Sequence, residues 1–399
     1  MQYRKMPGTE EELSILGFGC MRLPLLEGRI DEERATAQLR GAIDAGVNYL
    51  DTAWPYHGGE SEAFLGRALA GGYREKVRIA TKLPSWMVGS REEMDEYLGA
   101  QLKALRTDRI DYYLLHNLDG GMWDRLAGFG VADFLDRALA DGRIGAAGFS
   151  FHGPVADFKR IVDAYPWRLC QIQYNILDVE NQAGREGLLY AADRGLGVII
   201  MEPLRGGNLA IPEPPPRVAE VWDSAEVRRT PAEWGLRWIW NHPEVTVVLS
   251  GMNEEAHVEE NLRVADDARA NAFSPEELAL VDRVRETYAE IMKVPCTGCG
   301  YCLPCPAGVA IPGCFEMYNQ LHMFGNPAAA KFTHAIRMSG MLREGEPSYA
   351  SRCVGCGECL EKCPQAIEIP DFLEKVAEEL EGDWLAETEA LARKKLNIT

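Results

Sequence analysis

The sequence predicts an α/β protein, a (β/α)8 TIM barrel followed by a small helical domain. Two observations predict it. Over residues 1 to about 290, short apolar runs rich in β-branched and aromatic residues alternate with amphipathic helical stretches. Beyond about residue 291 the alternation stops, and nine of the 11 cysteines fall between Cys296 and Cys363. The expected domains are therefore 1–290 and 291–399.

The expected strands are Ile15–Met21, Val47–Thr52, Val77–Leu83, Ile110–Leu118, Ile144–Phe151, Leu169–Leu177, Gly197–Leu204 and Thr246–Met252. Their near-continuous apolar character suits parallel strands covered by helices on one face and packed side chains on the other. Eight such units match a closed barrel. An open doubly wound sheet is the competitor, but no GxGxxG follows the first strand to support it. Helix starts are legible between strands. Ser90 and Glu93 form a capping box before the apolar face Met94, Tyr97, Leu98, Leu102 and Leu105. Thr230-Pro231-Ala232-Glu233 and Ser274-Pro275-Glu276-Glu277 place a cap, a first-turn proline and an acid in helix-opening order. The Pro-rich stretch Ile211–Pro216 reads as an exposed loop near the barrel mouth, because barrel elements resume beyond it. Downstream, Phe315 to Met341 reads as helix, and a last amphipathic helix is expected from Asp371 through Leu385.

Composition bounds the function. The 399 residues are 46% hydrophobic and 26% charged, enough for a sizeable core. Forty-two basic residues against 61 acidic ones leave a net charge of −19. Such a surface repels phosphate backbones and anionic lipid, so neither nucleic acid nor a membrane is an expected partner. No apolar run is long enough for a membrane span. The charged start MQYRKMPGTEEEL lacks a secretion signal's apolar segment, and a cytoplasmic location is the expectation.

In a barrel, chemistry belongs at the carboxyl ends of the strands. Asp51, Tyr56, Lys82 and His116 stand there, with Lys82 31 residues after Asp51 and His116 34 residues after Lys82, about one β/α unit each. Taken singly, each has a bland reading: a solvated lysine, a structural histidine, a turn-capping aspartate. Together they form a proton-delivery set. A phenol with pKa ~10 is a poor acid at neutral pH. A neighbouring ammonium favours phenolate, a carboxylate keeps that ammonium charged, and an imidazole orients a carbonyl oxygen.

Residues 1 to about 290 resemble the aldo/keto reductase family on the motifs Asp51-Thr52-Ala53, Tyr56, Glu60-Ser61-Glu62, Thr81-Lys82 and Leu115-His116. The resemblance implies carbonyl reduction with NAD(P)H, Tyr56 as general acid, Lys82 and Asp51 as its tuners, and His116 orienting the carbonyl. It further implies carboxamide contacts from Ser150 and Gln171, with Phe151 where an Asn usually follows and His152 as the alternative polar group. Met201 stands where many members stack an aromatic ring on the nicotinamide. Leu204-Arg205-Gly206-Gly207 resembles the loop over the pyrophosphate, and Glu260 and Asn261 the adenine-contacting pair. Ser250 to Asn261 holds no Lys or Arg, which leans the preference toward NAD(H) over NADP(H), with Arg205 and Arg263 as possible cations nearby.

The cysteine runs are Cys296-x2-Cys299-x2-Cys302-x2-Cys305-Pro and Cys353-x2-Cys356-x2-Cys359-x3-Cys363-Pro. The second is the bacterial ferredoxin spacing, in which thiolates hold [4Fe–4S] clusters and the fourth Cys can serve the other cluster. Zinc is the alternative, but zinc modules place ligands as separated pairs. The first run departs from the pattern by one residue before its last Cys. Eight thiolates suit two [4Fe–4S] clusters, with one the minimum, and the spacing between runs resembles helical dicluster ferredoxins. Cys20, Cys170 and Cys314 are expected to be buried thiols.

Three readings stay open. In the first, the barrel interconverts a carbonyl and an alcohol while the clusters exchange electrons with an outside ferredoxin or flavin-type carrier. In the second, the clusters only hold their domain together or sense oxygen. In the third, the protein is a non-enzymatic redox sensor or electron-carrier subunit. No flavin fingerprint is legible, and Trp54, Trp86 and Trp123 are candidates for an apolar substrate rim.

Overall fold

The computed structural model describes residues 1–298, 300–324, 327–341 and 346–396. Eight parallel strands close a barrel: Leu16–Gly19, Tyr49–Asp51, Arg78–Leu83, Ile110–Leu118, Ile144–Phe151, Leu169–Gln173, Gly197–Met201 and Val245–Ser250. Each lies on a sequence-predicted strand, and the last pairs with the first through Ser250 opposite Phe18. Alternate residues fill the interior, including Tyr49, Ala80, Tyr112, Leu114, Leu169, Ile199, Val247 and Leu249. Period-two alternation forces this: a residue not facing the surrounding helices faces the axis.

A feature the sequence reading missed is an antiparallel hairpin of Tyr3–Lys5 and Glu12–Ser14. Its Met6 and Leu13 join the barrel-interior core and seal it. The helix starts behave as their sequences require. Ser90 Oγ accepts from Glu93 N at 3.3 Å, Thr230 Oγ1 from Glu233 N at 3.0 Å, and Ser274 Oγ from Glu277 N at 3.2 Å.

The chain divides into two compact units, Met1–Ile211 with Arg229–Leu278, and Pro212–Arg228 with Ala279–Thr399. The Pro-rich stretch is thus more than a loop of the barrel. From Pro212 it opens a segment of the second unit that holds the helix Pro216–Asp223. This unit also takes the helix Pro275–Ile291 from Ala279 on, and helices Ile311–Phe324, Pro327–Met338, Ile369–Leu380 and Leu385–Leu396, with a core of Phe315, Met317, Tyr318, Leu373 and Val376.

The last helix is broken, against expectation. Glu381 leaves helical geometry (φ −134°, ψ 39°). Its buried carboxylate accepts from the Ala350 and Ser351 amides at 2.8 Å each and from His334 Nε2 at 2.8 Å. Those bonds hold Glu381 in the non-helical position. Among the described residues, no helix is long and apolar enough to cross a membrane.

Candidate active site

Three neighbouring strands deliver the proton-transfer set. Asp51 ends the second strand opposite Ala80 of the third, and Lys82 lies opposite Leu114 of the fourth. Lys82 Nζ donates to Asp51 Oδ1 and Oδ2 at 2.8 Å each and to Thr52 O at 2.7 Å. Both side chains are buried, 1% and 3% exposed. Tyr56 follows the second strand in a tight turn whose next three residues, His57, Gly58 and Gly59, all have positive φ (53°, 65° and 92°). The turn puts the phenol ring 5.1 Å from Lys82 Nζ and 6.2 Å, edge-on, from the His116 ring. Asp51, Tyr56, Lys82 and His116 therefore share one pocket.

Electrostatics give each group a state at neutral pH. Burial disfavours charge on Lys82, but Asp51 and the Tyr56 hydroxyl together hold the ammonium above its usual range. Burial likewise pulls the Asp51 carboxyl up, against the pull of Lys82. The pair is ionised, because three oxygens surround the ammonium. For Tyr56 the expectation of a lowered phenol is corrected: burial raises it, and Lys82 only partly offsets this. His116 is pushed well below its usual range by burial, then by Lys82 and His152, so its ring is neutral. Its Nδ1 is buried and lacks a hydrogen-bond partner among the described residues.

Behind the pocket, a buried network the sequence did not reveal fixes these strands. Glu62 accepts from Thr81 Oγ1 at 2.5 Å and Gln101 Nε2 at 2.7 Å, while Tyr113 donates to Gln101 Oε1 at 2.8 Å. Ser61 and Thr52 hydroxyls meet at 2.9 Å. Trp86 packs 5.1 Å from the His116 ring and is 40% exposed, as a rim residue would be. Trp54 meets Tyr97 edge-on, whereas Trp123 is buried against Trp167 and is no rim residue.

The remaining strand ends gather the sequence-predicted cofactor residues. Register sets Gln171 opposite Ser150 on one side and Ile199 on the other, and Gln173 opposite Met201. Ser150 Oγ accepts from Asn117 N at 2.8 Å. Gln171 Nε2 lies 3.6 Å from Met201 Sδ, and its buried Oε1 has no hydrogen-bond partner among the described residues. A buried amide oxygen left without a donor fits a carboxamide NH2, and the Ser150 hydroxyl can supply the complementary donor. Phe151 is buried in the aromatic core, and His152, pushed down to about 4 by burial, bonds Gln182 Oε1 at 3.0 Å.

At the seventh strand's end, Glu202 takes a positive φ of 54°. Asn175 Nδ2 and Arg205 N both donate to its carbonyl, at 3.2 and 3.1 Å. Arg205 is buried and lies 3.4 Å from Asp178 Oδ2, and the side chain of Leu204 packs toward Gly235. Gly206 and Gly207 are both left-handed (φ 70° and 100°). Asn261 Nδ2 donates to Ser250 Oγ at 2.9 Å, and Glu260 accepts from Thr230. Arg263 is engaged by Glu233 at 2.7 Å. The stretch around Asn261 also has a cation from elsewhere in the chain, Arg34, which pairs with Glu254 and Glu255.

The cysteines line two cavities in the second unit. The first is lined by Cys302, Cys305, Cys353, Cys356 and Cys359. The second is lined by Cys296, Cys302 and Cys363. Cys299 lies outside the described residues. Each cavity thus draws thiols from both runs. Burial raises the Cys359 thiol, and the neighbouring sulfurs of Cys353, Cys356 and Cys305 add to that, a crowding of like charge that a cationic iron centre would relieve. The approaches to both runs are pinned. Asn319 Oδ1 accepts from the Lys293 and Val294 amides at 3.1 and 3.0 Å, as Glu381 does from Ala350 and Ser351. Cys20, Cys170 and Cys314 are buried, and burial pushes their thiols up.

The fold is thus a closed parallel barrel with Asp51, Tyr56, Lys82 and His116 gathered at its strand ends, in a chain that also carries two cysteine-lined cavities. The aldo/keto reductase family model matches residues 15–286, and the 4Fe-4S dicluster domain model matches residues 295–367. The chain belongs to the aldo/keto reductase family and is an oxidoreductase with a 4Fe-4S domain at its C-terminal end. It is 26% identical to L-galactose dehydrogenase of Arabidopsis thaliana over 308 residues, 72% of this chain and 95% of that protein. An uncharacterized oxidoreductase of Bacillus subtilis is 30% identical over 232 residues, 52% of this chain and 68% of that protein. The holo form of an aldo-keto reductase from Bacillus halodurans superposes with a TM-score of 0.60 at 24% identity, covering 71% of this chain and 96% of that one, a likeness of fold.

Proposed function

We propose that the protein interconverts a small-molecule carbonyl and its alcohol with NAD(P)H, Tyr56 serving as general acid and base. The observation that carries this is the buried Lys82–Asp51 pair beside the Tyr56 phenol, with the His116 ring next to it. His116 holds the carbonyl oxygen against the phenol. Tyr56 gives that oxygen its proton, and the Lys82 ammonium stabilises the phenolate left behind. Asp51 keeps the ammonium charged, and for alcohol oxidation the phenolate takes the proton back. Bound nicotinamide supplies or accepts the hydride. Ser150 and Gln171 would hold its carboxamide, Met201 its ring face, Leu204 to Gly207 its pyrophosphate, and Glu260 and Asn261 its adenine. Because Glu254 and Glu255 already neutralise Arg34, and Glu233 engages Arg263, the preference leans to NAD(H).

For the clusters, Cys353, Cys356, Cys359 and Cys305 would hold one, and Cys296, Cys302 and Cys363, with Cys299 from the sequence pattern, the other. A cluster held there would carry one electron, so two would match the pair of one hydride, with a flavin-type outside carrier making the conversion between hydride and single electrons. We assign them a relay to an outside ferredoxin or flavin-type carrier. The support is that Cys356 and Val354, on the wall of the first cavity, are exposed, Val354 by 73%. On this reading the functional division falls near residue 290, with hydride chemistry before it and electron storage after it.

Anaerobic purification followed by titration with NADH and NADPH tests both parts. Turnover of a carbonyl panel that Tyr56→Phe abolishes supports the barrel chemistry. Clusters whose absorbance and paramagnetic signals never change during turnover overturn the relay and leave a structural or oxygen-sensing role.

A further inference from the structure

Arg22 belongs to none of the groups discussed above. It ends a single turn, Cys20–Arg22, that follows the first barrel strand. Its stem crosses the end of the eighth strand: a Cβ on Gly251 would fall 3.2 to 3.4 Å from Arg22 Cβ, Cγ and Cδ. Its tip reaches the seventh: a Cβ on Gly206 would fall 3.2 Å from Nη2. Two strand ends thus carry no side chain where this arginine runs, and Gly206 is also left-handed. Among the described residues, Arg22 forms neither a hydrogen bond nor a salt bridge. The turn that presents it is held in place, with Leu23 N donating to His57 Nε2 at 3.2 Å, one residue from Tyr56.

The geometry points to Arg22 as an anion clamp that receives a phosphate oxygen of the dinucleotide across the seventh and eighth strand ends. This rests on the dinucleotide reading above. The direction of the side chain selects phosphate over a substrate carboxylate. Arg22 leans toward the strands carrying Gly206 and Gly251, away from the second to fourth strands that carry Asp51, Lys82 and His116. A guanidinium matches phosphate through paired N–H donors, and bare glycine backbone lets the phosphate approach. The Glu202 carboxyl is within electrostatic reach of Asp178, Arg205 and Arg22, so it is the acid that faces Arg22 here, and burial with Asp178 holds it up to about 7. Arg205 is engaged by Asp178, whereas Arg22 makes no ion pair with Glu202 and can turn to an incoming anion.

The test titrates the full-length, cluster-loaded protein with NADH, NADPH and ADP-ribose, following tryptophan fluorescence under anaerobic conditions. Arg22→Ala is expected to weaken all three about tenfold, the loss of one exposed charge-assisted contact, with Arg22→Lys recovering part of it. Added salt should weaken wild type more than Arg22→Ala, a difference a merely structural role would not produce. Gly251→Ala, which pushes the arginine stem aside, should reproduce the loss with Arg22 intact. In turnover, KM for the dinucleotide should rise while kcat and the carbonyl KM hold. Unchanged ADP-ribose affinity in Arg22→Ala overturns the inference alone, as does a carbonyl KM that rises instead. A wild-type protein that binds none of the three probes overturns the dinucleotide reading together with it.

Discussion

Replacing Lys82 by Met removes the cation from a pair whose side chains are 1% and 3% exposed. Asp51 then loses both 2.8 Å bonds while remaining buried, and Thr52 O loses its donor at 2.7 Å. Breaking a buried pair from one side costs about 3–5 kcal/mol. Burial already pulls the Asp51 carboxyl up, so it takes a proton once the ammonium is gone, and the cost should fall near the lower end, about 3 kcal/mol. Asp51→Asn should cost a similar amount, because it leaves a buried ammonium with an amide. The double variant carries no unpaired charge and should be no worse than either single one. The coupling energy should therefore reach about 3 kcal/mol or more. Urea unfolding of the four proteins, followed by far-ultraviolet circular dichroism, supplies the cycle. Carbonyl reduction measured on the same samples should fall by roughly 100- to 10,000-fold with Lys82→Met, since the phenol loses the charge that stabilises its phenolate. Single effects that add to within about 0.5 kcal/mol, or a Lys82→Met protein that turns over normally, would refute the ionised-pair account.

Further outcomes follow from other groups. Tyr56→Phe should lower turnover by roughly 100- to 10,000-fold while leaving dinucleotide affinity in place, read by kcat and by fluorescence titration. Because His116 is held neutral well below pH 6.5, the pH–rate profile of a Glu202→Gln protein, freed of the carboxyl raised to about 7, should show no step near pH 6.5, and a histidine-like inflection there would contradict the assignment. Glu202 is raised from 4.5 to about 7, by burial first and by Asp178 second. The folded state then binds more protons than the unfolded one between those values, so this carboxyl's contribution makes stability fall as pH rises through that window. Glu202→Gln should remove the penalty, worth up to about 3 kcal/mol at pH 8 and nothing below pH ~4.5, as read by unfolding midpoints at both pH values. Iron counting on anaerobic protein should give about eight per chain, falling by about half in Cys353→Ser. An unchanged count would remove Cys353 from the ligand set.

Much was readable along the chain because the physics is local. A strand buried on both faces needs a continuous apolar run, and a helix start needs its cap. A barrel spaces its strand ends by one repeat, so all eight strands and the cluster of Asp51, Lys82 and His116 showed as pattern. The cysteine spacings are local in the same way.

Folding added what depends on neighbours distant in sequence. The Met6–Leu13 seal, the break at Glu381 and the mixing of two cysteine runs across each cavity all join residues tens to hundreds of positions apart. The sign of the Tyr56 shift was misjudged because a motif names the charges around a phenol but not how much water they displace. Arg34 likewise entered the Glu254–Glu255 stretch from another helix, and Arg22 crossed two strand ends it does not adjoin in sequence. Periodicity records which face a residue turns inward, whereas desolvation and through-space charge are set only when the closed sheet brings those faces together.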